Sequence, residues 1–195
     1  MNACRSVAGK KIIGVLALQG AFIEHEEAIK KCGAQACQVR KPEELQQVDA
    51  LIIPGGESTT IGKLMKEFGL DKVIQDRAAQ GMPIWGTCAG MILLAKEIDN
   101  SDQFRLGLMD VRVKRNAFGR QVDSFEADLD IDNIGPTRGV FIRAPYVEKI
   151  WGEARVMSRY RDKIVMVQQN NLLSTAFHPE LTQGLCIHRY FLDMV

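Results

Sequence analysis

With 195 residues, 25 Lys plus Arg against 24 Asp plus Glu and a formal net charge of +1, the chain carries no global field that would recruit nucleic acid or an anionic membrane. Its 46% hydrophobic and 25% charged residues suit a single globular domain over residues 1–195 with a sizeable core. No apolar run approaches the roughly 20 residues needed to cross a bilayer, so function must be read from local sites.

Residues 1–10 hold too short an apolar stretch for a signal peptide and read as a short N-terminal arm. Five cysteines, Cys4, Cys32, Cys37, Cys88 and Cys186, are an odd number without a C-x-x-C pair. That pattern argues against a disulfide framework and a cysteine-rich zinc site, and a reducing cytoplasm fits it best. The histidines are His25, His178 and His188.

Residues 11–18, K-I-I-G-V-L-A-L, form an apolar run of strand length without alternation, as in a strand buried on both faces of a parallel sheet. Gln19-Gly20 ends it, and residues 22–32 follow as an amphipathic helix closed by Gly33. A weaker strand over 36–40, a helical turn over 42–46 and a third apolar strand over 48–53 continue the alternation. That strand runs into P-G-G-E-S-T-T at residues 54–60, with a helix expected from about Ile61 to Phe68. Consecutive glycines at the carboxyl end of a strand let backbone N–H groups face the crevice where open α/β sheets bind ligands. The loop could be an oxyanion hole or a phosphate nest, although it lacks the lysine and spacing of a P-loop. Ser58 or Thr59 could also simply cap the helix.

A helix over 71–80 stops at Gly81 and Pro83, and Ile84-Trp85 leads into G-T-C-A-G at residues 86–90. A cysteine with glycine two residues before and two after has the spacing of a nucleophile elbow, a sharp strand-to-helix turn with little room for side chains. At the N-terminus of the helix expected over 91–95, unpaired N–H groups and the helix dipole would favour the Cys88 thiolate. A buried free cysteine is the bland alternative. Beyond Gly107 the runs 111–113 and 125–129 alternate apolar and polar, as half-exposed antiparallel strands do. Residues 140–142, 154–157, 164–167 and 172–177 are further strand candidates, and a last helix is expected over 185–194.

F-H-P-E at residues 177–180 follows the strand candidate 172–177. Proline pushes His178 out of the helical region, and in extended chain His178 and Glu180 would project to one side. Glu180 would then orient the imidazole, leaving its other nitrogen to activate Cys88. The competing histidines look weaker. His25 sits in E-H-E-E, read as a solvated helix face, and His188 has no obvious orienting partner.

G-T-C-A-G, the distant H-P-E and the P-G-G-E-S loop together resemble the class I, triad-type glutamine amidotransferases. L-A-L-Q-G at 16–20, P-G-G-E-S-T-T at 54–60, R-N-A-F-G-R-Q-V-D-S-F-E at 115–126 and F-I-R-A-P at 141–145 look more narrowly like the glutaminase subunits of two-subunit pyridoxal 5'-phosphate synthases. The resemblance implies a flavodoxin-like, doubly wound, mostly parallel α/β sheet, with additional antiparallel strands in the C-terminal half.

It further implies a Cys88-His178-Glu180 triad that hydrolyses L-glutamine through a thioester, with the backbone N–H groups of Gly56 and Ala89 as oxyanion hole. Gly56, Glu57, Ser58, Arg115, Ile142 and Arg143 fall at the family's glutamine-holding positions. Without those motifs the arginines would read as surface ion pairs. No cofactor or metal is implied. The implied partner is a (β/α)8-barrel synthase subunit in a hetero-oligomer, which takes the ammonia and activates an otherwise weak glutaminase. Related alternatives are a glutaminase of another pathway, which the 115–126 motif disfavours, and a peptidase-like or redox-sensing cysteine protein. One departure stands out. After Glu180-Leu181-Thr182 such relatives usually have an acidic residue and an arginine, where this chain has Gln183-Gly184-Leu185-Cys186-Ile187, which puts in doubt the local capping of the last helix and any partner contact made there.

Overall fold

The computed structural model describes residues 11–115 and 124–195. The N-terminal arm and the interior of the 115–126 motif therefore lie outside the described residues. Strand and helix alternate through the first half: β1 (Ile12–Leu16), α1 (Phe22–Lys31), β2 (Gln35–Val39), α2 (Pro42–Leu45), β3 (Ala50–Ile53), α3 (Ser58–Glu67), α4 (Leu70–Ala79), β4 (Ile84–Thr87) and α5 (Ala89–Leu94). Strands follow in the second half: β5 (Ala95–Ile98), β6 (Met109–Lys114), β7 (Ser124–Ile131), β8 (Gly135–Ile142), β9 (Tyr146–Ile150), β10 (Arg155–Tyr160), β11 (Lys163–Gln169) and β12 (Leu172–Thr175). A 3-10 turn (Pro179–Leu181) and α6 (Cys186–Asp193) complete the described chain.

Every residue of β1, β3 and β4 is buried, which is why these segments are apolar without alternation. The main sheet runs β2-β1-β3-β4-β12-β11-β9-β6-β5, with β10 paired to β11. Its first five strands are parallel, in the doubly wound order of a flavodoxin-like fold. Beyond β12 the pairing turns antiparallel, β12 to β11 to β9 to β6, and β5 is parallel to β6. A separate hairpin, β7–β8, buries Ala127, Leu129 and Ile131 and exposes the residues between them, so the alternation there is that of a one-sided sheet.

One pairing sets up everything that follows. β12 returns from the antiparallel half to lie beside β4, in register from Leu172 with Ile84 to Thr175 with Thr87. The residues after Thr87 and those after Thr175 therefore leave the sheet side by side at its carboxyl edge, with the loop after β3 on the other side of β4.

Several boundaries differ from the sequence expectations. The helix expected from Ile61 begins at Ser58, because Glu57 rather than Ser58 or Thr59 supplies the cap. The helix after Cys88 starts at Ala89 and ends at Leu94, since Ala95 turns extended to open β5. The last helix begins at Cys186, and the residue before it, Leu185, makes no side-chain cap, in the altered 183–187 segment where the capping was in doubt. Cys32, Cys88 and Cys186 carry free thiols, whereas Cys37 is disulfide-bonded, so the cysteine pattern does not preclude a bridge.

Candidate active site

Cys88 sits between β4 and α5 with φ 49° and ψ −99°, in the left-handed region that a side chain avoids. Holding a non-glycine residue there costs about 1–3 kcal/mol. Its N–H continues the β4–β12 ladder by donating to the Thr175 carbonyl at 2.8 Å. The flanking glycines make the turn possible. A side chain at Gly90 would run into the Ile53 carbonyl, and one at Gly86 into the Gly90 backbone. Cys88 is 8% exposed, and its Sγ lies 3.9 Å from the Ile142 carbonyl oxygen.

His178 and Glu180 meet, but not by the extended geometry that the sequence suggested. His178 is non-helical at φ −108°, and Pro179 then starts a 3-10 turn that folds Glu180 back. The His178 Nδ1–H donates to Glu180 Oε1 at 2.7 Å, and the His178 backbone N–H donates to the Val140 carbonyl at 2.8 Å. This leaves Nε2 for Cys88. Burial alone would lower the His178 pKa, but hydrogen bonds with Cys88 and Glu180 outweigh it and push the imidazole up to about 10. Burial likewise opposes the charge on Glu180, yet the hydrogen bond from His178 and the charge on that ring hold its carboxyl below the usual carboxylate range.

The signs of the two linkages differ. The stability that His178 gains from protonation is fully present below its ordinary 6.5 and is lost as pH rises towards about 10. That of Glu180 is present above the ordinary carboxylate pKa and is lost as pH falls through its lowered value. In a nuclear magnetic resonance titration the His178 ring is expected to remain protonated at about pH 8 and to titrate at lower pH once Cys88→Ala removes its partner. A wild-type ring already neutral at that pH would contradict the ion-pair geometry.

The loop after β3 is locked to the end of β1. Gly20, at φ 105°, abuts the Gly55 carbonyl, which accepts the Ala21 N–H at 3.2 Å. Gln19 Oε1 accepts the Glu57 N–H at 2.7 Å. Because the peptide is trans and planar, the Gly56 N–H points opposite to the Gly55 carbonyl, away from Ala21. The other expected oxyanion donor, the Ala89 N–H, is the first of α5 and directly follows Cys88. Gly55 itself lies against the His178 ring, leaving no space for a Cβ.

Glu57 caps α3, accepting the Thr60 N–H at 2.8 Å and the Thr60 hydroxyl at 3.0 Å, with the Thr59 hydroxyl also donating. The bond from Thr59, reinforced by Thr60 against the opposing effect of burial, holds the Glu57 carboxyl down to about 2. Gln103 gathers the neighbours. It accepts from Arg115 Nη1 at 2.5 Å and its Nε2 donates to Ser58 Oγ at 3.1 Å, while Arg115 Nη2 stands 3.7 Å from Glu57 Oε1. The structure thus brings Glu57, Ser58 and Arg115 together. Ile142, whose carbonyl faces Cys88, and exposed Arg143, at φ 42°, lie where β8 ends.

Sequence reasoning missed Gln19, Gln103, His25 and His188 as parts of this region. His25 is not on a solvated face. It is fully buried, as is His188, and their Nδ1 and Nε2 atoms are 3.1 Å apart under Trp85. A usable signal existed. His25 precedes buried Ala28 and Ile29 by three and four residues, which sets it on the apolar stripe of α1. Burial pushes the His25 pKa down, and that of His188 down to about 3, so both rings are neutral at pH 7. No helix among the described residues is long and apolar enough to cross a membrane.

The chain matches the SNO glutamine amidotransferase family over residues 15–195. It is 57% identical over 185 residues to the pyridoxal 5'-phosphate synthase subunit PdxT of Carboxydothermus hydrogenoformans, covering 94% of this chain and 97% of that one. With the subunit of the same name from Pelotomaculum thermopropionicum it shares 60% identity over 183 residues, 93% of each chain. A crystal structure of a glutamine amidotransferase superposes with a TM-score of 0.90 at 50% identity, covering 93% of this chain and 97% of that one. PurLQS from Thermotoga maritima shares the fold, with a TM-score of 0.69 at 17% identity over 94% of this chain and 98% of that one.

Proposed function

From the premise that the chain belongs to the SNO glutamine amidotransferase family, we propose that it hydrolyses L-glutamine to L-glutamate and ammonia, with Cys88, His178 and Glu180 as its triad. The observation that carries this reading is the strained elbow at Cys88 facing an imidazole that Glu180 orients at 2.7 Å. Cys88 Sγ attacks the side-chain carbonyl carbon of glutamine, and the oxyanion that forms is met by the N–H groups of Gly56 and Ala89. Donors of this kind are worth about 3–4 kcal/mol each in other enzymes. His178, protonated at rest, gives its proton to the amide nitrogen as the C–N bond breaks, so that ammonia leaves and a glutamyl thioester remains. Water then attacks the thioester while His178 Nε2 takes its proton, and the sulfur departs as glutamate is released. Glu180 keeps the imidazolium stable through both halves.

Glutamine carries an α-ammonium and an α-carboxylate, which call for an acceptor and a donor. Glu57, kept ionised by its caps, and Arg115, held by Gln103, supply one of each, with Gly56, Ser58, Ile142 and Arg143 around them. The relatives' shared description as a synthase subunit supports a second assignment, in which the ammonia passes to a (β/α)8-barrel synthase that makes pyridoxal 5'-phosphate from a pentose phosphate and a triose phosphate. The hetero-oligomer would work in the cytoplasm. Docking would also complete the oxyanion hole at the Gly55–Gly56 peptide.

The test is glutamate release from glutamine by the purified chain, alone and with its synthase subunit. Release that rises when the synthase is added, together with labelling of Cys88 by an electrophilic glutamine analogue, is the expected result. No release by the pair would overturn the reading and favour a redox role for Cys88 instead.

A further inference from the structure

The triad carboxylate has two oxygens, and the mechanism above uses only one. Glu180 Oε1 accepts from His178, while Oε2 is fully buried and makes no aligned hydrogen bond. A buried carboxylate oxygen without a partner is costly, and Oε2 lies 3.3 Å from His25 Nε2 on α1. That nitrogen is also 3.3 Å from the Thr87 hydroxyl, one residue before Cys88. From its other side, His25 Nδ1 meets His188 Nε2 of α6 at 3.1 Å, and Trp85 packs edge-on against both rings.

We infer that His25 is a positioning residue for the reaction, which holds Glu180 through Oε2 and is itself fixed in the required tautomer by His188. The tautomer follows from counting protons. Two neutral rings share one N–H between His25 Nδ1 and His188 Nε2. If His25 Nδ1 carried it, the bare Nε2 would face a carboxylate oxygen and the His188 Nδ1–H would be a buried donor with no partner. If His188 Nε2 carries it, the His25 Nε2–H faces both the Thr87 hydroxyl and Glu180 Oε2, each 3.3 Å away, and only an unprotonated His188 Nδ1 is left over. The second arrangement avoids both penalties. Donors then run from His188 to His25 and on to the Thr87 hydroxyl and the Glu180 carboxylate, so that an imidazole stands against each carboxylate oxygen and opposes its rotation away from His178. Burial of both rings, which lowers their pKa, keeps the chain of donors in this neutral form.

This inference rests on the triad reading, so its test separates the two. Three variants of the complete chain, His25→Gln, His25→Asn and His25→Phe, are assayed with the synthase subunit beside wild type and Cys88→Ala. Glutamine's terminal amide reaches where Nε2 lies and can donate to Glu180; asparagine's reaches only the Nδ1 position; phenylalanine keeps the ring volume without a donor. The expected pattern is a kcat lowered about 10- to 100-fold in His25→Phe and His25→Asn, with KM for glutamine within about twofold, and most of kcat restored in His25→Gln. Full kcat in folded His25→Phe would overturn the inference, as would a His25→Gln no better than His25→Asn. Where His25→Phe fails to fold, the comparison of the two amides decides. Loss of folded protein in all three would mark His25 as a packing residue and overturn the proposal. Failure of the triad reading looks different, because Cys88→Ala would then retain the wild-type rate.

Discussion

Replacing Cys88 by alanine is expected to lower glutamate release from glutamine by about 10^4-fold or more, to the level set by substrate binding and the remaining polar groups. The expectation rests on roles that no neighbour can assume. The free thiols at Cys32 and Cys186 lie on α1's end and on α6, whereas among the described cysteines only Cys88 combines the left-handed elbow with a ladder bond to Thr175. The loss should fall on kcat, with glutamine binding largely retained, because Glu57, Ser58, Gln103 and Arg115 form their contacts without the sulfur. Steady-state kinetics with the synthase present, and calorimetric titration of glutamine into the variant, measure the two separately. A variant retaining more than about a hundredth of the wild-type kcat would remove Cys88 from the chemistry.

Much of this site was legible in the sequence because its parts obey local rules. The buried parallel strands announce themselves as apolar runs, and G-x-C-x-G has few physical uses beyond a crowded turn. The parallel pairing of β12 with β4 was not legible as such. Residues 88–171, including all the antiparallel strands that precede β12, separate them, and it is long-range register that sets His178 beside Cys88. His178 and Glu180 were paired correctly for an incorrect reason. A local 3-10 turn, started by Pro179, does what extended chain was expected to do. His25 was misread because charges at Glu24, Glu26 and Glu27 mask the apolar stripe to which it belongs, and the burial that neutralises it comes from β4 and α6, distant in sequence. Gln103 carries no local signal at all, since its role exists only where the segment between β5 and β6 passes α3.

Gly55→Ala is expected to cut kcat by about 10^2-fold while leaving the fold intact, a larger effect than adding one methyl group to an exposed loop normally has. The new Cβ would sit within the van der Waals radius of the His178 imidazole, near Cε1 and then Nδ1 and Nε2. Gly55 does not have a left-handed φ, so the backbone can accept alanine and only the ring must give way. A ring at the end of a side chain yields more easily than backbone, and for that reason the cost appears as displacement of the imidazole more than as lost stability. Moving it lengthens the bond to Glu180 and the approach to Cys88 together, and positional errors of about 1 Å at a reacting group cost about 10^2 in rate. Gly90→Ala provides the contrast. There the Cβ meets the Ile53 carbonyl, which is held in the sheet, so overpacking of about 1–3 kcal/mol or more must appear in the unfolding midpoint. Thermal unfolding and glutaminase kinetics on both variants check the distinction: Gly55→Ala should melt close to wild type with kcat reduced, and Gly90→Ala should melt markedly lower. A Gly55→Ala enzyme with unchanged kcat would mean that His178 acts from a position other than the one the ring occupies against Gly55.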